Sequence, residues 1–344
     1  MRIGFFQRDL PSQKFGGVAN QVHLLANGLS DRGESVTVFT LSPPPGDARY
    51  QVHTLTLPLW AQGKRVAEKY LLGRLFSTVD LEGFDLVHAH GDNYLLRFHP
   101  QVRTYYGSAL GEAWSSRHLK RGLSQLLFYG LEWVGRFRAD RCVAISPETK
   151  RYIKGIDQVI PCGIDLERFK PGFGKSREPS LLFVGTLQGR KRGVLLLRCF
   201  ETIRKTVPDA QLWMVTPEPV RADGVLSFTS LSEAELIERY QQAWVYCQPS
   251  RYEGFGVPVV EAMACGTPVV ATRNHGSSFV LEQGKWGCLT EDVCLTETLL
   301  SLLTHPEARM AWQGKGLERA REFDIRNVTE HYVRLYHELV ASQL

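Results

Sequence analysis

The stretch 246–271 constrains the fold of this chain more than any other part of the sequence. An apolar run at 244–247 leads into a glycine-rich turn, and a helix follows whose apolar positions can face a sheet. Gly266 and Pro268 end that helix before a second apolar run at 269–271. This succession predicts an α/β unit whose helix begins beside the end of a strand. Unpaired N–H groups and the positive end of the helix dipole favour phosphate binding at such a helix start.

Two carboxylates accompany this unit. Glu253 falls on the turn and Glu261 within the helix, so we do not expect a close catalytic pair on one helical face. The two side chains are instead placed to hold the two ends of one elongated ligand. The alternative is that the glycines only close a tight turn and that both glutamates are solvated.

The same stretch resembles the E-x-x-x-x-x-x-x-E motif of the retaining, nucleotide-sugar-dependent glycosyltransferases of family 4, which have the GT-B fold. The match includes Pro249-Ser250, Glu253-Gly254-Phe255-Gly256 and the run from Glu261 to Ala271. It is long and ordered, and is therefore more specific than a lone glycine-rich loop. The resemblance implies that Glu261 binds the ribose hydroxyls of the donor and that Glu253 contacts the transferred sugar. It also implies that the donor diphosphate meets backbone groups at Phe255, Gly256 and Val257.

The length of 344 residues fits two domains of about 150 to 170 residues each. As the resemblance implies, we expect an α/β protein with two Rossmann-like, doubly wound parallel-sheet domains facing across a cleft. We place the first domain at 1–165 and the second, donor-binding domain at 166–325, with a linker at about 165–178. The final helical pattern, within 326–344, is expected to complete the first domain.

Composition and charge narrow the class of protein. An apolar content of 43% and a charged content of 22% are those of a soluble globular protein. The seven cysteines form no C-x-x-C pair, which favours reduced, buried thiols in the cytoplasm over a structural zinc site. The first residues hold too short an apolar run for a signal peptide, and no segment reaches the length of a membrane span. The net charge of +5 is mild and no nucleic-acid-binding motif occurs, so nucleic acid is not an expected partner.

Glycines also stand at the start of the first predicted helix. A strand at 3–6, a helix beginning after Gly16 and Gly17, and a strand at 36–40 form a βαβ unit. The resemblance implies that both glycines let the backbone approach the donor diphosphate. Plain turn glycines are the alternative.

A later strand of the first domain ends in a pair of histidines, His88 and His90. We expect their rings to point to opposite faces of the strand, which argues against a chelating pair. His90 resembles a family histidine that lines the cleft, although a structural histidine explains it equally well. The family places a sugar-contacting histidine where this chain has Tyr106. A phenol can hydrogen-bond a sugar hydroxyl or the acceptor, but it is a poor general base at neutral pH.

Residues 114–141 are the most basic stretch, with six cations among large apolar side chains. The commoner interpretation of such a pattern is a helix that packs on its own sheet and has a solvated, charged face. The second interpretation is an amphipathic surface that lies on an anionic membrane. It would hold the protein at the inner face of the membrane, beside a lipid-linked acceptor.

Three consecutive cations, Arg190, Lys191 and Arg192, stand next to glycines at a predicted helix start. Their mutual repulsion is costly unless an anion is present, which predicts a diphosphate site. The family pattern is G-R-L…K-G, and Gly185 and Lys191 fit it. Thr186 stands at the arginine position, so we assign the role of that arginine to Arg190.

Local signals predict further elements of the second domain. Ser232 and Glu235 have the spacing of a capping box at the start of a helix that runs to 241. Helical patterns at 295–304 and 306–322 follow the motif.

Together these features predict transfer of a sugar from a nucleoside diphosphate sugar to a hydroxyl of a glycan, a glycolipid or a small-molecule glycoside, with retention at the anomeric carbon. Lys191 and Arg190 would stabilise the leaving diphosphate. No D-x-D pattern occurs, so neither a metal nor another cofactor is expected. Two alternatives stay open: a catalytically impaired nucleotide-sugar-binding homologue, motivated by Tyr106 and Thr186, and another GT-B enzyme such as a sugar epimerase. An NAD-dependent dehydrogenase is disfavoured, because no G-x-G-x-x-G follows the first strand.

Overall fold

A computed structural model describes residues 1–11, 17–61, 65–91, 93–111 and 119–343. The chain forms two compact units. The first contains the described residues up to Gly163 and again from Ile325 onwards, and the second is Ile164–Asp324.

The first unit is built on a parallel sheet. Its strands are β1 (Arg2–Phe6), β2 (Ser35–Thr40), β3 (Gln51–Thr54), β4 (Leu86–His90), β5 (Gln101–Tyr105), β6 (Arg141–Ala144) and β7 (Gln158–Val159). In the described residues they pair in the order β3-β2-β1-β4-β5-β6-β7, and every pair is parallel. The helices that precede the second unit are α1 (Gly17–Ser30), α2 (Arg65–Phe76), α3 (Leu119–Arg138) and α4 (Pro147–Tyr152).

Both faces of this sheet are covered, as continuous apolar strands require. Phe5 points to the face where Val22 of α1 lies, and the next residue, Phe6, points to the opposite face. There Phe6 packs against Phe39 and against Phe76 of α2. The carboxyl ends of the strands are therefore held rigidly, and the loops that follow them carry the predicted functional residues of this unit.

The second unit repeats the plan. Its strands are β8 (Ser180–Val184), β9 (Gln211–Val215), β10 (Val225–Phe228), β11 (Val245–Gln248), β12 (Val269–Thr272) and β13 (Cys288–Thr290). They pair in parallel in the order β10-β9-β8-β11-β12-β13. Its helices are α5 (Gly193–Thr206), α6 (Glu233–Gln242), α7 (Val257–Ala264), α8 (His275–Val280), α9 (Leu295–Thr304) and α10 (Pro306–Ala320). The predicted class, two Rossmann-like, doubly wound parallel sheets, is confirmed.

The last helix, α11 (Ile325–Ala341), belongs to the first unit. It packs on α1, and Val328, Leu335 and Leu339 enter the same core as Val22. Polar groups also anchor it, since the Tyr336 hydroxyl lies 2.5 Å from His88 Nδ1 of β4.

Helix α3 has two different faces. Gln125, Phe128 and Glu132 are buried against the first unit. The opposite side exposes four apolar side chains, with exposed fractions of 49%, 57%, 36% and 79% at Leu126, Leu127, Val134 and Phe137. The helix therefore packs on its own unit as expected, but from 124 to 138 its solvent-facing side is apolar rather than charged. Among the residues described, no helix combines the length and the apolar character needed to cross a membrane.

Candidate active site

The loop 185–192 joins β8 to α5 and is fixed by its last residue. Arg192 is the N-cap of α5 and has a left-handed backbone conformation, with φ 55°. Its guanidinium donates to the carbonyl of Pro249 at 2.6 Å and to Thr272 Oγ1 at 3.0 Å, and it pairs with Asp292 at 2.5 Å. One of the three consecutive cations thus holds the loop against the ends of β11 and β12.

The other two cations converge on one carboxylate. Lys191 Nζ lies 2.7 Å from Glu253 Oε1, and Arg190 Nη1 lies 2.8 Å from Glu253 Oε2. The side chains of Glu253 and Lys191 are 6% and 13% exposed, whereas Arg190 is 40% exposed. The anion that the sequence requires beside these cations is therefore supplied, in this structure, by the protein itself.

This geometry shifts the pKa values of Glu253 and Lys191. Burial by itself would raise the pKa of Glu253, but Lys191 and Arg190 together hold it below its ordinary value. Burial lowers the pKa of Lys191, while Glu253 opposes that shift. Gly185 makes room for the lysine, because a Cβ at this position would lie 3.1 Å from Lys191 Cγ.

Glu261 of α7 is buried near the same cluster. Its Oε2 accepts a hydrogen bond of 2.8 Å from the hydroxyl of Tyr240 on α6. Burial raises the pKa of Glu261 to about 7, and both Tyr240 and Lys191 partly offset this rise. Lys191 thus acts on both glutamates of the motif.

The start of α7 is a glycine turn with little exposed surface, since Gly256 is buried. The N-cap, Gly256, has φ 111°, and no side chain caps the first turn, whose second residue is Pro258. Phe255 as a whole is 2% exposed, and its ring packs edge-on against Phe323 at 5.4 Å. Val257 is half-buried at the first helical position.

Gly276 at the start of α8 supports this turn from behind. A Cβ there would lie 2.6 Å from the carbonyl oxygen of Glu253 and 2.8 Å from that of Phe255. Such distances are too short for any real side chain, so only glycine lets α8 approach the turn. Nothing in the sequence pattern indicates this contact.

The predicted glycines of the first helix have different outcomes. Gly16 lies outside the described residues. Gly17 begins α1 and is exposed, and, its chain neighbours and its own helix backbone aside, none of the described residues comes within 4 Å of the place that a Cβ would take there. A contact of Gly17 with a donor therefore stays a prediction.

His90 and Tyr106 meet at the carboxyl end of β4. The Tyr106 hydroxyl lies 3.1 Å from His90 Nδ1, and burial together with Arg103 lowers the pKa of His90 to about 3. His90 is fully buried, and its Nε2 has no hydrogen-bond partner among the described residues.

The expected orientation of the two histidines is wrong. The rings of His88 and His90 lie 3.8 Å apart and share one face of β4. Residues two positions apart in a strand point the same way, so the spacing itself favours this arrangement. His88 Nε2 bonds Thr104 Oγ1 at 2.8 Å, and Thr104 in turn bonds the hydroxyl of Tyr332 on α11 at 2.9 Å. His88 is thus a structural residue that links the sheet to α11.

A cavity of about 260 Å³ lies beside Tyr106 within the first unit. Arg103, Gly107, Ser108 and Glu132 are among the residues that line it. Arg103 is 1% exposed and donates to the carbonyls of Gly91 and Asn93. The described residues contain no cluster of three His, Cys, Asp or Glu side chains that could hold a metal ion.

Sequence reasoning did not identify several supporting residues. Tyr240, Tyr332 and Tyr336 fit ordinary amphipathic helices, and nothing in the pattern indicates that their hydroxyls bond Glu261, Thr104 and His88. The spacing of Tyr332 and Tyr336, four residues apart, does indicate that both lie on one face of a helix.

Comparisons with known proteins agree with this architecture. The model described as Glycosyltransferase Family 4 matches residues 15–168, and the model described as Glycosyl transferases group 1 matches residues 178–305. The chain is 27% identical over 387 residues to the phosphatidyl-myo-inositol mannosyltransferase of Mycobacterium leprae, covering 99% of this chain and 98% of that protein. It is 28% identical over 335 residues to the D-inositol 3-phosphate glycosyltransferase of Pseudarthrobacter chlorophenolicus, covering 80% of this chain and 78% of the relative.

The fold comparison gives the same class. The solved structure of sucrose-phosphate synthase from Thermosynechococcus elongatus superposes with a TM-score of 0.84 at 23% identity, covering 99% of both chains. Two matched domain models that together span most of the sequence, and a GT-B neighbour over its whole length, confirm the resemblance carried by the motif. The chain belongs to the glycosyltransferases of family 4 and group 1.

Proposed function

We propose that this glycosyltransferase moves a sugar from a nucleoside diphosphate sugar to an acceptor hydroxyl, with retention at the anomeric carbon and without a metal ion. The observation that carries the proposal is the cluster of Arg190, Lys191 and Glu253 beside Glu261. Arg190, Lys191 and Glu253 lie in the loops that follow β8 and β11, and Glu261 lies in α7, the helix after β11. The carboxyl ends of the strands are where α/β sheets bind ligands. Fixed cations beside buried carboxylates suit a donor that carries a diphosphate next to polyol groups.

In the proposed step one bond breaks, one bond forms and one proton is transferred. The bond between the anomeric carbon and the β-phosphate oxygen breaks, and the acceptor oxygen bonds that carbon on the same face. The acceptor proton passes to the leaving diphosphate, whose charge Lys191 and Arg190 offset. Glu253 orients the sugar and Glu261 the ribose, while the backbone at Phe255, Gly256 and Val257 meets the phosphates.

For the acceptor we propose a phosphorylated polyol, free or attached to a lipid. Two observations support this class. Burial, and after it the nearby Arg97 and Arg103, lower the pKa of Arg138, so the first unit brings three arginines close together there. The two relatives named above act, by their names, on inositol phosphate and on phosphatidylinositol. Tyr106 is the proposed contact on this side, and the buried His90 lies behind it, with Nδ1 3.1 Å from its hydroxyl.

We also propose that the apolar face of α3 rests on an anionic bilayer. Leu127 and Phe137 are more than half exposed, the cationic Arg138 follows Phe137 directly, and Arg141 lies three positions further on. An apolar face bordered by cations favours the interface of a membrane that contains acidic lipids.

A product assay tests the transfer. The protein is incubated with UDP-, GDP- and ADP-sugars and with inositol phosphate or phosphatidylinositol, and products are identified by mass spectrometry. Proton NMR coupling constants of the product give the anomeric configuration, and the assay is repeated with EDTA. We expect a retained product that EDTA does not abolish. Donor binding without turnover would support the impaired homologue, and inversion or loss of activity in EDTA would contradict the proposed mechanism.

Vesicle sedimentation tests the membrane contact. Phe137→Glu and Leu127→Glu are compared with Met310→Glu, which changes an apolar residue of the second unit that is 65% exposed. With phosphatidylglycerol vesicles we expect binding by the native protein and by the Met310 variant, and at least tenfold weaker binding by the α3 variants. Equal binding by all four proteins, or no binding at low salt, would refute this contact.

A further inference from the structure

Glu261 has two carboxylate oxygens in different surroundings. Oε2 accepts the hydroxyl hydrogen of Tyr240 at 2.8 Å, whereas no hydrogen bond or ion pair from the described residues reaches Oε1. Tyr240 is fully buried and Glu261 is 9% exposed, so the solvent-exposed surface of the pair belongs to Glu261.

Tyr240 is itself held in one orientation. Its ring packs against Tyr246 at a centroid distance of 5.6 Å and against Phe169 at 6.3 Å. The hydroxyl has therefore little freedom to turn away from Glu261. A phenol that points its hydrogen at a carboxylate stabilises the ionised form of that carboxylate.

We infer that Tyr240 is a positioning residue, whose hydroxyl binds Oε2 of Glu261 and leaves Oε1 as the oxygen that accepts the ribose hydroxyls of the donor. The inference rests on the proposed function. Tyr240, from α6, does not contact the ligand itself but fixes the orientation of the Glu261 carboxylate on α7.

Charge around Glu261 changes little between pH 5 and 8 apart from Glu261 itself. Burial raises the pKa values of Tyr240 and Tyr246, and that of Cys265 to about 12, so these three groups stay neutral. The charged groups around the pair are Lys191, whose pKa burial lowers, its partner Glu253, and Lys175, which donates to Thr267 and whose pKa burial lowers to about 8. Every variant compared below keeps these charged groups, so their effect on the pH dependence of binding cancels in the comparison.

The test measures the affinities of UDP and GDP by calorimetry from pH 5 to 9. Ribose binding to the carboxylate makes wild-type affinity rise with pH, with a midpoint near that of Glu261. In Tyr240→Phe, loss of a hydrogen bond to a charged group moves the midpoint up by about one pH unit. Affinity between pH 6 and 7 then falls about five- to tenfold, and the difference narrows above pH 8.5.

Tyr246→Phe is the matched control. Tyr246 is equally buried and loses the same hydroxyl, but that hydroxyl bonds Gln248 Oε1 at 3.0 Å rather than Glu261. We expect its midpoint to equal that of the wild type. An unmoved midpoint in Tyr240→Phe, or the same displacement in both variants, overturns the inference.

A measurement on the wild type guards against loss of folding in the variant. At pH 8 we expect dUDP or dGDP, which lack the 2′-hydroxyl, to bind at least tenfold more weakly than UDP or GDP. Equal affinities overturn the ribose contact and the inference with it. If the wild type binds no nucleoside diphosphate at any pH, the proposed function fails too, whereas binding without the Tyr240 effect leaves that function standing.

Discussion

Lys191 Nζ lies 2.7 Å from Glu253 Oε1, and the second oxygen of that carboxylate lies 2.8 Å from Arg190. Glu253 therefore lies between the two cations to which we propose that the donor binds. A diphosphate that approaches this cluster has to share or replace the contacts of Glu253. The residues of this small network should respond to mutation in different ways.

Lys191→Ala should reduce kcat/KM by about 10- to 150-fold. This range corresponds to the roughly 1.5–3 kcal/mol of a hydrogen bond to a charged group. The lysine is proposed to act on the charge that develops on the leaving phosphate, so kcat should carry most of the loss. The control is Lys205→Ala, which changes an exposed lysine in the last turn of α5, the helix that follows the loop of Lys191. This variant should keep its activity. A Lys191 variant as active as the control would refute the assigned role.

Glu253→Ala should destabilise the protein and create an anion dependence. Removal of the carboxylate leaves Lys191 almost buried without its partner, while Arg190 can turn to water, so we expect a loss of about 2–3 kcal/mol. Pyrophosphate should raise the melting temperature of this variant more than that of the wild type, because it supplies the missing negative charge.

Glu291→Ala is the control for that experiment. It breaks the exposed pair with Arg273, whose side chains are 49% and 66% exposed, and should change stability by less than about 1 kcal/mol. Equal responses of both variants to pyrophosphate would contradict a specific anion site at Glu253.

Much of the second unit was predictable from local pattern. The strand expected at 244–247 is β11, Val245–Gln248, and the expected capping box of Ser232 and Glu235 is present. These signals are short-range, since a strand shows as an apolar run and a cap depends on residues three apart. For the same reason the motif predicted a turn at Glu253 followed by a helix that contains Glu261, as α7 does.

Side-chain partners between elements were not predictable. Glu253 lies 63 positions from Arg190 in sequence, and the Tyr240–Glu261 bond spans 21 positions. Such contacts depend on how the strands order themselves and on rotamers fixed by packing, which a single sequence does not encode locally. The sequence assigned Lys191 and Arg190 to the diphosphate and gave no separate role to Arg192, which holds the loop, nor any sign that the other two meet a carboxylate. The histidine error differs in kind, because the period of a strand already placed His88 and His90 on one face.

Glu261 should make stability fall as pH rises. Burial raises its pKa to about 7 in the folded protein, above the ordinary value near 4.5. The folded state thus holds a proton that the unfolded state has lost, so the contribution is complete below about pH 4.5 and disappears as pH passes 7. We expect urea titrations to show the wild type losing on the order of 3 kcal/mol relative to Glu261→Gln across this range. A constant difference between the two proteins would show that Glu261 is not buried as described.

His90 should be neutral and carry its proton on Nδ1. Burial lowers its pKa to about 3, and Nε2 has no partner among the described residues. An unpaired buried N–H is rarer than an unpaired acceptor, so the proton belongs on the nitrogen that faces Tyr106. Tyr106 then accepts from His90 and keeps its own O–H to donate into the cavity beside it. Nitrogen-15 NMR of the ring at pH 6–8 should show the Nδ1–H tautomer, and an Nε2–H or charged ring would contradict this assignment.

Gly276→Ala should damage both stability and activity, because a Cβ there would lie 2.6 Å from the carbonyl oxygen of Glu253. The backbone of the turn would have to move, which typically costs about 1–3 kcal/mol. Displacement of Glu253 and Phe255 should reduce kcat/KM by at least about tenfold. Gly314→Ala is the matched control, since no described residue outside the adjoining backbone of α10 comes within 4 Å of its Cβ position. Alanine favours a helix interior by up to about 1 kcal/mol, so the control should gain stability and keep its activity. If both alanine variants behaved alike in urea unfolding and turnover, the close approach of α8 would not be what positions the turn.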